Sequence, residues 1–415
     1  MKFAADLFAA LDRATRSEGV LTRQPYGPGE QAAHDLVAAA GEELRLARQL
    51  DAAGNLHLTF PGADVGAPGW VTGSHLDSVP DGGNFDGAAG VVAPLAVMHE
   101  WRDSGLVPAR NVTVIAFRAE EASSWFAGRH HSHFGSRALL GQLSADELHQ
   151  TRSLVDGRTL ASWISAAGFD AEGIRAGTPL VPLDAMGAFV ELHIEQGPVL
   201  VNTRCPVGIV TGIRGTLRAR SCRCIGEDAH SGAVPLEYRH DALFGAAEFA
   251  CELERQWHRW LAQGRDAVCT VGRFGTDPAR HSMTKIAGEV SFSIDIRSLD
   301  HGLLRAAEAF VQDLAQRIGA ARELRFDLGS LDLTPPALMT GELQHRLQRH
   351  ADELGITARP IASGAGHDAA NFAAAGIPTA MLFVRNDHGS HNRHEAMNMD
   401  DFRACAAVLG RLLAS

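Results

Sequence analysis

The chain has 415 residues, of which 45% are hydrophobic and 21% charged, and its formal net charge is −11. This length predicts two domains, and the composition predicts a soluble globular protein with an ample core. The acidic balance argues against nucleic-acid binding, which needs basic patches to neutralise phosphates, and no apolar run is long enough to span a membrane. The six cysteines, among them Cys222 and Cys224, lack zinc-knuckle spacing and are interpreted as free thiols of a cytoplasmic protein.

The first third of the chain alternates between predicted helices and predicted strands. The spacing of its apolar residues predicts helices at 4–17, 29–49 and 88–104, and strands at 56–60, 69–72 and 112–117. A β-α-β order of this kind predicts a mainly parallel sheet with helices on its faces.

A glycine-rich stretch at 73–90 follows one of these strands and carries His75, Asp77 and Asp86. Loops at the carboxyl ends of strands are where open α/β sheets place their sites. The side chains of His75 and Asp77 lie on the same face of an extended chain, so one can bind a metal while the other orients the ligand by a hydrogen bond. Asp86 is either a further ligand or the N-cap of the next helix. The glycines lack the G-x-G-x-x-G spacing of a dinucleotide site.

Two further polar clusters follow the strand at 112–117. Glu120 and Glu121 are either the solvated start of a helix or a pair in which one carboxylate binds metal and the other moves protons. His130, His131 and His133 suggest a metal site, but we favour an exposed, mobile loop for this histidine cluster.

A helical connection is predicted at 145–170, and a strong strand follows from 188. His193 alternates with Glu191 and Glu195 on one face of this strand, which makes it either a structural histidine or a metal ligand.

From about residue 213 the pattern changes. Alternating strands are predicted at 216–226 and 288–298, with helices at 239–263 and 302–319. This composition predicts an inserted α+β domain, after which the β-α-β pattern resumes at about residue 330.

Five residues at predicted strand ends have the chemistry of metal ligands: His75, Asp86, Glu121, His193 and His391. Imidazole and carboxylate without thiolate suit zinc, manganese, cobalt or nickel. Five protein ligands are too many for one catalytic tetrahedral site, but they fit two ions that share one carboxylate and a bridging water. Metal binding lowers the pKa of water to about 7, which gives a hydroxide nucleophile, and Glu120 would collect the proton.

The sequence resembles a known family, the hydantoinase/carbamoylase group of dinuclear metal amidohydrolases, which is related to the aminoacylases and carboxypeptidases. Members include L-N-carbamoyl-amino-acid hydrolases, β-ureidopropionases and allantoate amidohydrolases. The matching blocks are GSHLDSVPDGGNFDGAAG (73–90), AEE (119–121), GSRALLG (135–141), ELHIEQGPVL (191–200), GIVTGIRG (208–215), GEDAHSG with RHDAL (226–243), SIDIR (293–297), SGAGHDA (363–369) and GSHNRHEAM (389–397).

The resemblance implies a role for each of these site residues. His75, Asp86 and His193 would hold one metal, Asp86, Glu121 and His391 the other. Asp77 would orient His75, and Glu120 would be the general base. The implied substrate contacts are Gln196, His230, Thr284, Arg297, Gly364, Ala365 and Gly366.

The resemblance also implies the architecture. A zinc-peptidase-like α/β catalytic domain (1–212 and 331–415) would be interrupted by an α+β lid domain (213–330) through which the protein forms a homodimer. His230 of one lid would complete the partner's active site, or else cap a nearby helix. Arg297 would bind a substrate carboxylate with its guanidinium fork, or else pair with Asp295.

Three departures from the family pattern concern the substrate. Thr284 stands where an asparagine is usual, the loop after Glu121 is a few residues longer before Gly135, and Arg393 replaces a common proline. We therefore expect metal-dependent hydrolysis of a C–N bond in an N-carbamoyl amino acid or related ureido acid. The alternatives are an allantoate amidohydrolase, an N-acyl-amino-acid or peptide hydrolase, and a metal-free dimeric binding protein.

Overall fold

The computed structural model describes residues 1–128, 132–174 and 177–415. Its α-helices are α1 (Lys2–Thr15), α2 (Pro28–Glu43), α3 (Ala88–Ser104), α4 (Phe134–Leu139), α5 (Ala145–Gln150), α6 (Leu160–Ala166), α7 (Val199–Thr203), α8 (Ala242–Ala262), α9 (His301–Arg322), α10 (Gly341–Glu353), α11 (Asp368–Ala374) and α12 (Met399–Leu413). Among the described residues, none of these helices combines the length and apolar character that a membrane span requires.

The strands are β1 (Arg16–Ser17), β2 (Val20–Leu21), β3 (Ala47–Leu50), β4 (Leu56–Phe60), β5 (Gly69–His75), β6 (Val112–Phe117), β7 (Phe126–Ala127), β8 (Arg152–Ser153), β9 (Met186–Ile194), β10 (Val207–Ile213), β11 (Gly215–Ile225), β12 (Ala229–His230), β13 (Val268–Thr270), β14 (Phe274–Gly275), β15 (Lys285–Ile286), β16 (Glu289–Ser298), β17 (Arg325–Asp327), β18 (Leu331–Thr334), β19 (Ala337–Leu338), β20 (Ala358–Ser363), β21 (Thr379–Val384), β22 (Asn386–Asp387) and β23 (Ala396–Met397). The chain divides into two compact units, one of residues 1–211 with 339–415 and one of residues 212–338.

The first unit is built on a mixed sheet that contains the strand order β10-β21-β9-β5-β6-β4-β3. The four central strands from β21 to β6 run parallel, and antiparallel strands flank them on both sides. Because parallel strands are buried on both faces, helices cover the sheet on each side. The α/β fold class with a mainly parallel centre is confirmed.

Helix α3 packs against the centre of this sheet. It is buried without interruption from Ala88 to Met98 and carries apolar residues on every side there, as a helix segment enclosed by other elements must, whereas its last turn is polar and largely exposed. Gly90 allows the close approach, since a Cβ there would lie 2.2 Å from the carbonyl oxygen of Leu192. Helices α1 and α12 cover α3, while Phe372 of α11 stacks on Phe189 of β9 on the opposite face, with ring centroids 3.8 Å apart.

The second unit is an antiparallel sheet covered by two helices. Its strands follow the order β13-β16-β11-β17, with β14 beside β16 and β18 beside β11. Alternate residues of β11 and β16 are buried, among them Leu217, Phe292 and Ile296, and they pack with Phe249 of α8 and Leu304 of α9. An α+β composition was predicted for this part of the chain. The predicted boundaries at 213 and 330, and the lid role, stay predictions.

Two elements differ from expectation. The helix predicted at 29–49 ends at Glu43, because Arg45 adopts a left-handed conformation with φ of 55°, and the chain continues as edge strand β3. The helix predicted at 145–170 is two short helices, α5 and α6, separated by strand β8 and a turn at Gly157 with φ of 73°. All six cysteines lie in the described part of the chain and are free thiols. A cytoplasmic location stays a prediction.

Candidate metal centre and active site

Three neighbouring parallel strands deliver the first polar groups to one edge of the sheet. β5 ends at His75, which is in register with Phe117 at the end of β6, and Glu120 and Glu121 follow directly. His193 lies near the end of β9 on the other side of β5. Because the carboxyl ends of parallel strands share one edge, side chains far apart in sequence meet there. All of these side chains are buried.

Asp86 lies at the centre of the cluster. Its Oδ1 is 3.0 Å from Nε2 of His193 and 3.9 Å from Nε2 of His75, and its Oδ2 is 3.3 Å from Nε2 of His391. His391 Nε2 is in turn 2.6 Å from Oε1 of Glu121. The alternative of an N-cap is wrong, because Gly87 occupies the N-cap of α3 and no side chain caps that helix.

The five predicted ligands therefore form two groups that share one carboxylate. The first group is His75, Asp86 and His193, and the second is Asp86, Glu121 and His391; within each, the donor atoms lie within 4.8 Å of one another. Two overlapping sets, Glu191 with His193 and His367, and His75 with Glu120 and Glu121, satisfy the same distance. The structure brings together every residue that the sequence proposed as a ligand.

Asp77 holds several of these residues in place. Its Oδ1 lies 3.4 Å from Nδ1 of His75, on the ring edge that faces away from Asp86. The same carboxylate accepts hydrogen bonds from the backbone N–H groups of Glu120 and Glu121, at 3.0 and 2.9 Å. Both glutamates are thereby fixed through their main chain and are buried, so the alternative of a solvated helix start is wrong.

The charges of the site are strongly coupled. Burial raises the pKa of Glu120, but the imidazoles of His133 and His75 outweigh it and lower that pKa to about 2. Burial likewise opposes ionisation of Asp86, yet its contacts with His193 and His391 hold its pKa well below the usual value. Carboxylates that remain ionised in a buried cluster require compensating positive charge.

A pair of divalent cations fits this donor set. The Oδ1 atom of Asp86 is buried and, among the described residues, has no hydrogen-bond partner, although imidazole nitrogens surround it. A buried carboxylate oxygen in that state is expensive unless it coordinates a cation. Imidazole and carboxylate donors without thiolate match zinc, manganese, cobalt and nickel.

Several residues of the site were missed by the sequence analysis. His133 lies 2.9 Å from Oε1 of Glu120 and its side chain is only 20% exposed, so the exposed-loop interpretation is wrong for this residue. His130 and His131 of that cluster lie outside the described residues. His367 packs edge-on against His193, with ring centroids 4.5 Å apart, and contacts Ser363 through Nε2.

Two buried glutamates support the cluster from behind. Glu395 accepts hydrogen bonds from the backbone N–H groups of Phe85 and Asp86 and from Ser390. Glu191 accepts hydrogen bonds from Ser74 and from the backbone of Ala369. The only sequence signal for Glu191 was its alternation with His193 along the strand.

The implied substrate contacts of the first unit lie beside the two groups. Gln196 donates from Nε2 to Oδ2 of Asp86 at 3.2 Å. The turn of Gly364, Ala365 and Gly366 lies between β20 and α11, and a Cβ at Gly366 would lie 3.1 Å from the His133 ring.

The remaining candidates lie in the second unit. His230 and Thr284 are neighbours there: His230 pairs with Lys285 across β12 and β15, and the carbonyl of Thr284 accepts from the N–H of Ser231. His230 is exposed and does not cap α8, whose N-cap is Asp241. Arg297 forms two hydrogen bonds of 2.8 Å with Asp295, so the alternative ion pair exists in the structure. Whether Arg297 also binds substrate stays a prediction.

Comparison with protein families gives one clear match. Residues 71–415 match the model described as peptidase family M20/M25/M40. That range contains all five predicted ligands and Glu120.

Comparison with individual proteins gives matches over nearly the whole chain. The N-carbamoyl-L-amino-acid amidohydrolase of Paenarthrobacter aurescens is 33% identical over 95% of this chain and 92% of its own length. The allantoate amidohydrolase of Escherichia coli is 30% identical over 95% and 92%. A crystal structure of a hydantoinase/carbamoylase family amidase from Burkholderia multivorans superimposes with a TM-score of 0.89 at 29% identity and covers 99% of this chain and 96% of its own.

Proposed function

Because the chain belongs to peptidase family M20/M25/M40, we propose that it is a metal-dependent amidohydrolase that cleaves a C–N bond in an N-carbamoyl amino acid or a related ureido acid. The observation that carries this proposal is the pair of metal-ligand groups that share Asp86, with the spare carboxylate of Glu120 beside them. The resemblance to the hydantoinase/carbamoylase amidohydrolases is confirmed by the relatives and by the structural neighbours. Hydrolysis of a non-peptide amide is the activity that these names share.

The residues have separate tasks in the proposed reaction. The two groups would hold two divalent ions, with zinc as the first candidate, and these would supply Lewis-acid activation of water near neutral pH. Glu120 would accept a proton from the attacking water and pass it to the departing nitrogen. Asp77 would keep His75 and Glu120 in position through the contacts described above.

The substrate contacts are proposed in part from the resemblance. Gln196 and the turn at Gly364 and Ala365 would contact the ureido group, since they lie in the unit that contains the ligand groups. Arg297 would bind the substrate carboxylate with its guanidinium fork. Thr284 would occupy the position where relatives of the group usually place an asparagine.

We also propose a homodimer formed through residues 212–338. His230 would reach the active site of the opposite subunit and donate a hydrogen bond to the oxyanion that forms on the attacked carbonyl. Its exposure on the surface of its own unit is compatible with that task.

A second candidate is hydrolysis of allantoate, which the similarity to the Escherichia coli enzyme favours. The discriminating experiment is ammonia release by the metal-reconstituted protein from a panel of N-carbamoyl-L-amino acids, their D-enantiomers and allantoate, with amino-acid release from N-acyl amino acids and dipeptides measured in parallel. The first proposal predicts the highest kcat/KM on an N-carbamoyl-L-amino acid. Highest activity on allantoate would establish the second candidate. Cleavage of N-acyl amino acids or dipeptides, without ammonia release from any ureido compound, would refute both.

A further inference from the structure

His133 is attached firmly to the strand end that carries Glu120. Three successive backbone hydrogen bonds join residues 133–135 to residues 118–120: His133 N–H to Glu120, Phe134 N–H to Ala119 and Gly135 N–H to Arg118, at 2.9 to 3.0 Å. His133 has φ of 56° and ψ of 39°, a left-handed conformation that directs the chain into α4. The ring is therefore placed by the main chain of the same segment that places the carboxylate.

The two oxygens of Glu120 have different neighbours. Oε1 lies 2.9 Å from Nε2 of His133, within hydrogen-bond distance. Oε2 lies 3.9 Å from Nε2 of His75, on the side of the first ligand group. One oxygen is thus held by an imidazole, while the other faces the proposed reaction centre.

Space for the His133 ring is provided by the glycine turn. A Cβ at Gly366 would lie 3.1 to 3.2 Å from the ring, tighter than ordinary van der Waals contact. The ring is thereby confined between Glu120 and the turn of residues 364–366.

We infer that His133 is a positioning residue for the general base: its Nε2 fixes Oε1 of Glu120 so that Oε2 is the oxygen that exchanges protons with the substrate water. This inference rests on the proposed role of Glu120. A carboxylate on a flexible side chain has several rotamers, and holding one of them removes the need to order the base during the reaction.

The test compares a substitution that removes the Nε2 donor with one that keeps a donor. His133→Phe keeps a ring but removes the donor, whereas His133→Gln keeps an N–H donor. We expect His133→Phe to lower kcat by about 10- to 100-fold, the usual consequence of a misplaced catalytic group, with KM changed by less than about 2-fold. His133→Gln should retain at least about 5-fold more kcat than His133→Phe. The metal content of both variants should equal that of the wild type.

A matched control comes from a second histidine–carboxylate pair. His99 lies 3.2 Å from Asp103 on α3, with both side chains partly exposed. His99→Phe should leave kcat, KM and metal content unchanged. Loss of metal in His133→Phe, equal kcat in His133→Phe and His133→Gln, or a change in KM alone would overturn the inference.

A double-mutant cycle separates a role through Glu120 from any other role. In the Glu120→Gln background, His133→Phe should lower the residual rate by less than about 2-fold, because residues that act as a unit are not additive. A multiplicative loss would contradict the inference.

The last measurement does not depend on the substrate, so failure of this inference can be distinguished from failure of the proposed function. With ¹⁵N-labelled histidine, the imidazole signal that disappears in His133→Phe should shift in Glu120→Gln, since Nε2 contacts that carboxylate. An unshifted signal would overturn the inference, even if the wild type hydrolyses none of the ureido compounds.

Discussion

At the scale of single residues, the carboxylate of Asp77 makes the backbone around Glu120 and Glu121 rigid. Its Oδ1 accepts a hydrogen bond from the backbone N–H of Glu120, and its Oδ2 accepts one from the backbone N–H of Glu121. Oδ1 also faces the His75 ring. Because these hydrogen bonds come from the main chain, a substitution of the Glu120 side chain leaves them intact. Glu120 can therefore be altered without displacing Glu121, the adjacent proposed ligand.

We expect Glu120→Gln to keep two metals per chain and to lose about 10²- to 10⁴-fold in kcat, the usual contribution of a general acid–base group. Steady-state kinetics together with elemental analysis of the metal content checks this. The control is Glu100→Gln, a change of the same kind at an exposed position of α3. Full activity of Glu120→Gln, or a fully active enzyme with one metal, would contradict the proposal.

A second expectation concerns Arg297. Arg297→Lys keeps the positive charge but loses the fork that binds a carboxylate in two places. KM for a carboxylate substrate should rise by about 10- to 100-fold, the equivalent of one charge-assisted hydrogen bond. Arg214→Lys is the matched control, because Arg214 forms a similar two-pronged pair with Asp266 in the same unit. An unchanged KM in Arg297→Lys would refute the assignment.

The ligand residues could be predicted because each lies at the end of a recognisable strand or in a loop that follows one. His133 and His367 could not be assigned in the same way. His133 belongs to a run of histidines whose spacing resembles an exposed loop, and only the backbone pairing of residues 133–135 with 118–120 shows that it turns back to Glu120. The sequence around His367 did not indicate a role for it, since that role depends on a contact with His193, a residue of a different element.

At the scale of elements, the junction between β5 and α3 depends on Gly87. This residue has φ of 67°, and a Cβ there would lie 2.5 Å from atoms of the His75 ring. The helix can begin so close to the ligand only because no side chain intervenes.

Gly87→Ala should therefore displace His75 and reduce the bound metal from two ions to one or fewer, as measured by elemental analysis. Gly105→Ala is a suitable control: Gly105 ends the same helix with φ of 72°, and nothing lies within 4 Å of its added Cβ. That variant should lose only about 1–2 kcal/mol of folding stability, the cost of backbone strain at a left-handed residue, and should keep both metals. Equal metal loss in the two variants would show that strain, not contact with His75, is responsible.

The central elements were predicted well because burial and periodicity agree there. The bounds of α3, β4 and β6 coincide with the runs from which they were predicted. Most of edge strand β3 was assigned to the preceding helix, since its apolar residues show no alternation that would distinguish a strand from a helix. Its pairing with β4 depends on a left-handed turn at Arg45, a conformation that arginine rarely prefers and that its sequence does not signal.

At the scale of the whole molecule, protons and metals compete for the same imidazoles. Burial lowers the pKa of His193, but contact with Asp86 outweighs it and raises that pKa to about 9 in the protein without metal. Hydrogen bonds with Asp86 and Glu121 raise the pKa of His391 to about 10. A histidine with a raised pKa stabilises the fold fully below its unfolded pKa, and this stabilisation is lost as pH rises through the folded value.

In the metal-free protein, the contribution of these two histidines to the free energy of unfolding should thus fall between about pH 6.5 and 10. Metal binding becomes stronger over the same range, because it requires deprotonated imidazoles. We expect that adding manganese to protein stripped of metal by a chelator raises Tm, and that this rise in Tm is larger at pH 9 than at pH 6.5. Thermal unfolding at several pH values, with and without metal, measures it. Magnesium, which prefers oxygen ligands, serves as the control and should give no such growth. A constant or shrinking increase with manganese would contradict the expectation.

The proposed dimer is tested by subunit exchange. His230→Ala and Glu120→Gln subunits should each be nearly inactive, since loss of an oxyanion donor costs about 10²- to 10³-fold. A mixed dimer would contain one site with both defects and one with neither, so about half of the native activity per mixed dimer should return. Mixtures of either variant with itself are the controls. Mixtures that exchange fully and stay inactive would show that His230 does not act across subunits.

The insertion of one compact unit within the other has a consequence for synthesis on the ribosome. Residues 212–338 are contiguous and can fold as soon as they emerge, whereas β9 must wait for its neighbour β21 at residues 379–384. At about 5–20 residues per second, this delay is on the order of 10 s. During it, β9 presents an unpaired apolar edge, which is where nascent chains aggregate. Chaperone demand should therefore persist until β21 has emerged, and fall when β21 closes the sheet.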